Sequence, residues 1–159
     1  MLSVGRGDAA TSEGGFTLLE VVCAVAIIAM LAAIILPAIP RGTSHARLEA
    51  YAVETATLLK ADHDVAMRHR AEVVTEVSAV SRTIRSSTTG REVLVPTDVH
   101  LEVLLPIRCN RRLVGNTITF FGSGMSCGGV IALTRFGEGY QIRVNWLTGG
   151  VEVVPVNAL

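Results

Sequence analysis

One charged residue interrupts the most apolar stretch of this sequence. Glu20 is the single charged residue between Phe16 and Leu36, a run that contains neither glycine nor proline. A carboxylate in apolar surroundings loses its hydration, which is unfavourable unless a cation neutralises the charge. Glu20 is therefore a candidate for pairing with a buried positive group. The alternative is a position at a membrane interface, where the carboxylate stays hydrated and needs no partner.

A serine motif typical of hydrolases occurs near the C-terminus. Residues 124–128 fit G-x-S-x-G with Ser126 at the centre. In hydrolases a helix follows this serine, and a histidine later in the chain takes up its proton. Here a strand pattern follows instead, and four histidines come earlier in the chain: His45, His63, His69 and His100. We therefore expect that this protein is not an enzyme.

Neither metal nor phosphate chemistry is indicated. Asp62, His63, Asp64 and His69 are metal-ligating residue types, but consecutive helical positions diverge by about 100° and the two histidines are not four residues apart. These side chains are expected on a solvated helix face. The glycine-rich turn lacks the Gly-Lys-Ser/Thr ending of a phosphate-binding loop. No cofactor or metal is predicted.

Arg108, Arg111 and Arg112 form a small basic cluster. The whole chain nevertheless balances 14 basic against 14 acidic residues. A near-neutral domain without aromatic residues between its arginines is a poor binder of phosphate backbones. Nucleic acid is therefore disfavoured as a partner.

The apolar run determines the class of protein. The chain has 159 residues with 50% apolar residues and a mean hydropathy of +0.48, which excludes intrinsic disorder. As a helix, residues 16–36 would be about 31 Å long and would cross a hydrocarbon layer of about 30 Å. A cleaved secretory signal, the alternative, has a shorter apolar core behind a basic start. The sequence predicts a membrane span.

Beyond the span, the sequence predicts one α+β domain. Pro37 to Gly42 interrupt the helix, Thr43 or Ser44 can cap its continuation, and apolar residues recur at three- and four-residue steps to about Arg68. The period then changes to two in a series of short segments, which predicts antiparallel strands. These segments are Val73 to Val80, 93–95, 99–105, 117–121, 130–134, 140–145 and 151–156. Turns are predicted between them, including Gly137-Glu138-Gly139.

The N-terminal sequence resembles the prepilin signature of type IV pilins and of type II secretion pseudopilins. It reads G-G-F-T-L-L-E from Gly14 to Glu20, runs directly into the apolar segment, and meets a proline at Pro37. The resemblance implies that a prepilin peptidase cuts after Gly15 and that the new N-terminal residue, Phe16, is methylated. It also implies a role in assembly for Glu20 and a helix bend at Pro37.

This resemblance also implies an organisation and a location. Residues 1–15 would be a cleaved cytoplasmic leader, 16–42 a transmembrane helix segment with its bend, and 43–159 a periplasmic pilin-like domain. The chain would thus be a single-pass protein of the inner membrane, with a long N-terminal helix packed on antiparallel sheets. Cleavage creates an α-amine at Phe16, against which a neighbouring subunit could place its Glu20, so that two charges that are costly to bury singly form a neutral pair.

The C-terminal part resembles the H-type minor pseudopilins of type II secretion. The resemblance rests on residues 118–134, with a phenylalanine strand and a small-residue turn ending in Gly-Gly, and on 140–153, with a Leu-Thr-Gly hairpin. Where relatives carry Pro-Asp in the turn, this chain has Gly122-Ser123. The resemblance implies a structural subunit of the pseudopilus, with other pseudopilins as partners in secretion across the outer membrane. FimT-like minor pilins share the block, so a role in pilus assembly or DNA uptake is the alternative.

In the periplasmic location that the family resemblance implies, two of the three cysteines would lie in an oxidising compartment. Cys23 lies within the apolar run, whereas Cys109 and Cys127 belong to the exported domain. A bond between them would close a short loop and stabilise the domain by roughly 3 kcal/mol. Two separate buried thiols are the alternative, because the sequence does not give the distance between them.

Overall fold

A computed structural model describes residues 17–35 and 42–157 of the chain. Its contacts divide the chain into two compact units, Met1–Pro40 and Arg41–Leu159. The first contains helix α1 (Leu18–Ile35), and the second contains helix α2 (His45–His69) and ten strands. Within the described ranges, no helix combines the length and the apolarity needed to cross a membrane. The span expected over 16–36 extends outside these ranges at both ends and stays a prediction.

Helix α2 begins and ends where its sequence indicates. Ser44 is the N-cap, and its side-chain oxygen accepts a hydrogen bond from the backbone N–H of Arg47 at 3.3 Å. At the other end Arg70 adopts a left-handed conformation, with φ of 49°, and its N–H bonds back to the last turn. The apolar face of α2 lies against strands of both large sheets.

The strands form two four-stranded antiparallel sheets and one short hairpin. The first sheet has the order β3-β2-β1-β7, the second has the order β10-β9-β8-β4, and β5 pairs with β6. The strand bounds are β1 Val73–Ser78, β2 Thr83–Ser86, β3 Glu92–Leu94, β4 His100–Leu104, β5 Arg108–Cys109, β6 Arg112–Leu113, β7 Thr117–Phe120, β8 Gly129–Arg135, β9 Glu138–Val144 and β10 Val151–Asn157. The predicted α+β class, with a helix packed on antiparallel sheets, is confirmed.

One hydrophobic core lies between α2 and the two sheets. Complete burial of each large side chain there contributes about 1.5–3 kcal/mol to the free energy of folding. The largest fully buried members are Leu58, Leu59, Val77, Ile84, Val95, Val99, Ile118, Phe120, Ile131, Leu133 and Ile142. The β-branched residues of the alternating segments therefore point into the core, as a two-residue period predicts.

The structure changes two details of the predicted strands. Val80 is not part of β1 but lies in the following turn and is 97% exposed. The turn between β8 and β9 is Phe136-Gly137, not Gly137-Glu138-Gly139, because both of its residues have positive φ and Arg135 pairs with Glu138.

The expectation that Asp62 lies on a solvated face is wrong. Asp62 lies on the buried face of α2 and is fully buried. Its two carboxyl oxygens accept hydrogen bonds of 2.6 Å from the hydroxyls of Thr75 and Ser86. These hydroxyls lie on β1 and β2. A polar cluster therefore joins the helix to the first sheet, and its three members satisfy one another in the core.

Candidate functional site

A local cap fixes the start of α1 next to the predicted cleavage site. The backbone N–H of Glu20 bonds to the carbonyl of Thr17 at 3.0 Å and lies 3.3 Å from its hydroxyl. Thr17 and Glu20 have the spacing of a helix-capping box. Glu20 is exposed in the isolated chain. The other N-terminal positions that the sequence singles out, Gly15, Phe16 and Pro37, lie outside the described residues.

The surface of α1 is apolar on all sides. Every large apolar side chain from Leu18 to Leu31 is exposed, from 51% at Val21 to 84% at Leu18. A helix that is hydrophobic all round requires apolar surroundings on all sides. Glu20 is the one charged group on this surface. The described part of α1 thus presents a carboxyl group in a setting where a cationic partner would be favoured.

The C-terminal turns lie against the second half of α2. A side-chain carbon at Gly122 would be 2.6 Å from the Cα of Arg70, and one at Gly149 would be 2.4 Å from the imidazole Nε2 of His63. The same Nε2 donates a hydrogen bond to the carbonyl oxygen of Gly124 at 3.0 Å. The two turns therefore need small residues because they pack directly on the helix. This role of the glycines follows from tertiary contacts and is not visible in the spacing of the motif.

The hydroxyl of Ser126 is engaged in hydrogen bonds with the backbone. The side chain is buried; its hydroxyl donates to the carbonyl of Asn145 at 2.9 Å and accepts from the N–H of Gly128 at 3.0 Å. The nearby His63 bonds to Gly124 instead of to the serine. The G-x-S-x-G sequence thus forms a turn between β7 and β8, without the helix that a nucleophile elbow requires.

A disulfide holds the short hairpin on the domain. Cys109 and Cys127 are bonded, with their Cα atoms 5.5 Å apart. The bond ties the β5–β6 hairpin to the segment that precedes β8. Arg108, Arg111 and Arg112 are all exposed on this hairpin. The basic cluster seen in the sequence is therefore one structural unit next to the disulfide.

Polar contacts also anchor the first residues of the domain. The carboxyl group of Asp98 accepts hydrogen bonds from the backbone N–H of Thr43 at 2.7 Å and from its hydroxyl at 2.9 Å. Arg135 donates to the carbonyl of Thr43 at 2.7 Å and forms an ion pair with Asp98 at 3.2 Å. The hydrogen bonds from Thr43 lower the pKa of Asp98 from its usual value, and the charge of Arg135 adds to the shift. This anchor is not visible in the sequence pattern, since its members lie up to 92 residues apart.

Comparison with known proteins gives a motif match at the N-terminus and matches to solved structures. Residues 11–36 match the prokaryotic N-terminal methylation motif. No curated protein matches the sequence. Among solved structures, the chain resembles the minor pseudopilin EpsH from the type 2 secretion system of Vibrio cholerae, with a TM-score of 0.52, 10% identity, and coverage of 67% of this chain and 94% of that one. This chain therefore has the pilin-like fold.

A type IV pilus protein is similar to the same degree. The minor pilin FimU of Pseudomonas aeruginosa superposes on the pilin-like chain with a TM-score of 0.50 and 12% identity. The match covers 68% of this chain and 88% of FimU. The shared features are a fold and an N-terminal methylation motif, which agrees with the family resemblance seen in the sequence.

Proposed function

We propose that this chain is an H-type minor pseudopilin, a structural and non-enzymatic subunit of the pseudopilus of a type II secretion system. The observation that carries the proposal is the methylation motif at 11–36 in front of a domain whose fold resembles that of EpsH. In this proposal the chain is a single-pass protein of the inner membrane with its domain in the periplasm. Its partners are the other pseudopilins and the prepilin peptidase.

The apolar surface of α1 suits the helix to two successive environments, the bilayer and the filament. Before assembly the helix would lie in the bilayer, and in the filament it would pack among the helices of neighbouring subunits. In both places its exposed apolar side chains lose contact with water, which is favourable. Glu20 is the exception, and a neighbour's Phe16 amine is the group proposed to neutralise it.

Processing is the first test of this proposal. We expect mass spectrometry of the chain from cells that contain the peptidase to show an N-terminus at methylated Phe16. Gly15→Val should accumulate as full-length precursor, because a branched side chain obstructs the cut. An unprocessed wild-type chain beginning at Met1 in those cells would contradict the proposal.

Substitution of Glu20 tests the pairing. If Glu20 only anchors the helix, Glu20→Leu should improve membrane insertion by about 2.5–3.5 kcal/mol and leave assembly unchanged. If it pairs with a neighbour's amine, the same change leaves a buried cation unpaired, a loss of about 3–5 kcal/mol. We expect a cleaved, inserted variant that crosslinks poorly to other pseudopilins and reduces secretion. Val22→Leu, in the same helix, is the matched control; wild-type crosslinking in Glu20→Leu would exclude the pairing.

The similarity to FimU favours one second candidate, a FimT-like minor type IV pilin that acts in pilus assembly or DNA uptake. Deletion of the gene distinguishes the two. Loss of protein secretion with normal pili supports the pseudopilin, whereas loss of pili or of DNA uptake supports the pilin. A salt-dependent shift of DNA by the chain would add weight to the second candidate.

A further inference from the structure

Phe136 combines high exposure with an unfavourable backbone conformation. Its side chain is 90% exposed, more than any other phenylalanine, tyrosine or tryptophan in the described part of the chain. Its φ of 54° lies in the left-handed region that bulky residues rarely adopt. At the first position of a two-residue turn such as Phe136-Gly137, asparagine is the favoured residue. Two unfavourable features therefore coincide at one residue, and such a coincidence points to a function.

The ring of Phe136 is held in a defined position. The guanidinium carbon of Arg135 lies 4.4 Å from the centre of the ring, which is a cation–π contact. The same guanidinium donates to the carbonyl of Thr43 and pairs with Asp98. A side chain that is already ordered loses less conformational entropy when it makes a new contact. The turn thus presents an ordered aromatic ring with most of its surface uncovered.

The turn lies beside the first residues of the domain. Arg135 bonds to Thr43, and a side-chain carbon at Gly42 would collide with its guanidinium. Thr43 follows Leu36, the last residue of the apolar run, by seven positions. A chain of seven residues spans at most about 25 Å. Thr43 therefore stays within that distance of the point where the run would leave a bilayer, and the turn is bonded to Thr43.

Trp146, a second exposed aromatic side chain, lies at the other end of the domain. It follows strand β9, whereas Phe136 precedes this strand, and seven residues of strand span about 20 Å. Gly149, in the same loop as Trp146, packs on His63. His63 comes 18 positions after His45, the first residue of α2, which is about 27 Å along the helix. Of the two aromatic residues, Phe136 is therefore the one beside the start of the domain.

We propose that Phe136 inserts its ring into the surface of the bilayer that holds the apolar run, so that the subunit contacts the membrane at a second point before assembly. The inference rests on the membrane anchoring in the proposed function. Apolar and aromatic side chains settle about 5–10 Å into the boundary between headgroups and acyl chains. The ring would lose contact with water there, which offsets the strain of its backbone. The position beside Thr43 favours lipid over a protein partner, because every unassembled subunit has a bilayer at this end.

This contact does not need a negatively charged lipid. The charge of Arg135 is neutralised by Asp98 at 3.2 Å, and Glu138 lies directly opposite Arg135 in the strand register. The apolar ring is therefore the group that the bilayer would bind. The inference predicts insertion into zwitterionic lipid that is insensitive to salt, because screening acts on charges and not on apolar burial.

The single tryptophan of the chain provides a measurement of depth. The full-length chain is incorporated, at one chain per disc, into phosphatidylcholine nanodiscs whose acyl chains carry bromine just below the headgroups. The wild-type chain reports from Trp146, and the variant Phe136→Trp/Trp146→Phe reports from position 136. At position 136 we expect blue-shifted emission that loses roughly half of its intensity to bromine, whereas the wild-type emission should lose less than about one tenth.

A reporter beside the turn distinguishes insertion of the ring from mere proximity. Thr97→Trp/Trp146→Phe places the tryptophan at an exposed position next to Asp98. Adding Phe136→Asn removes the ring but supplies the residue that the turn favours, so the domain should unfold at no lower temperature. We expect this change to reduce quenching of the reporter at least about twofold, since the apolar contact is lost. Leu113→Asn, which removes a 78% exposed leucine from the disulfide-linked hairpin, is the matched control and should leave the quenching unchanged.

Several results would overturn the inference. These are equal quenching at positions 136 and 146, no quenching at position 136, or an unchanged reporter after Phe136→Asn. Quenching that requires phosphatidylglycerol and disappears in high salt would assign the contact to basic side chains instead of the ring. Crosslinking from an unquenched position 136 to another pseudopilin would assign the turn to the filament. A chain that fails to co-elute with the discs would overturn the membrane anchoring and this inference with it, whereas co-elution without quenching overturns this inference alone.

Discussion

Asp62 offers a quantitative test of how helix α2 is held on the first sheet. The side chain is fully buried and is the shared acceptor for the hydroxyls of Thr75 and Ser86, at 2.6 Å in both cases. Asp62→Ala leaves both hydroxyls in the core without this acceptor. Each of the two unsatisfied hydroxyls costs about 1–3 kcal/mol, so we expect a loss of about 2–6 kcal/mol in the free energy of unfolding.

Asp62→Asn should be milder than Asp62→Ala. The amide keeps one accepting oxygen, and its nitrogen can donate to the hydroxyl of Thr75, which can also act as an acceptor. Thr75→Val removes one donor while nearly preserving the side-chain volume. In the double variant Asp62→Ala/Thr75→Val, the hydroxyl of Thr75 is no longer stranded. The combined loss should therefore be at least about 1 kcal/mol smaller than the sum of the single losses.

Urea unfolding of residues 43–159, followed by circular dichroism, gives these free energies. We expect this fragment to fold alone, because all of the buried apolar residues of the described chain belong to it. A loss of less than about 0.5 kcal/mol in Asp62→Ala, the range of ordinary surface changes, would refute a stabilising role for the cluster. Strict additivity of the two substitutions would refute the coupling.

Three further predictions concern the same domain. Gly122→Ala should destabilise it by about 1–3 kcal/mol in urea because the new methyl group meets the backbone of Arg70, the C-cap residue of α2, at 2.6 Å. Gly115→Ala, with open space around it, should be near neutral. The lowered pKa of Asp98 adds stability that is present above about pH 3.8 and lost as the pH falls through the lowered value. Asp98→Asn should therefore flatten the pH dependence of thermal unfolding in this acid range; an unchanged slope would contradict the anchor. Replacing both Cys109 and Cys127 by serine removes a disulfide that spans a sequence separation of 18, and should lower the free energy of unfolding by about 3 kcal/mol. Urea unfolding without reductant measures this loss, and a loss below about 0.5 kcal/mol would contradict a stabilising role for the disulfide.

The pattern of apolar residues predicts most of the secondary structure because each element reveals its period within a short window. The stripe along 48–66 predicts α2, and alternation predicts the longer strands such as β8 and β10. Strand β2, Thr83–Ser86, has mainly polar residues and is not visible in this way. It forms because Ile84 pairs with Val77 and fills the core.

The sequence by itself determined the class of the domain, the bounds of its long helix and the resemblance of both ends to pilin-like proteins. These features depend on residues that are neighbours along the chain. Only the tertiary structure decided that Asp62 is buried against Thr75 and Ser86, and that Cys109 and Cys127 are bonded. Such contacts join residues that are 13 to 24 positions apart, and their geometry is set by how strands pair and how the helix packs on them, which local spacing does not encode.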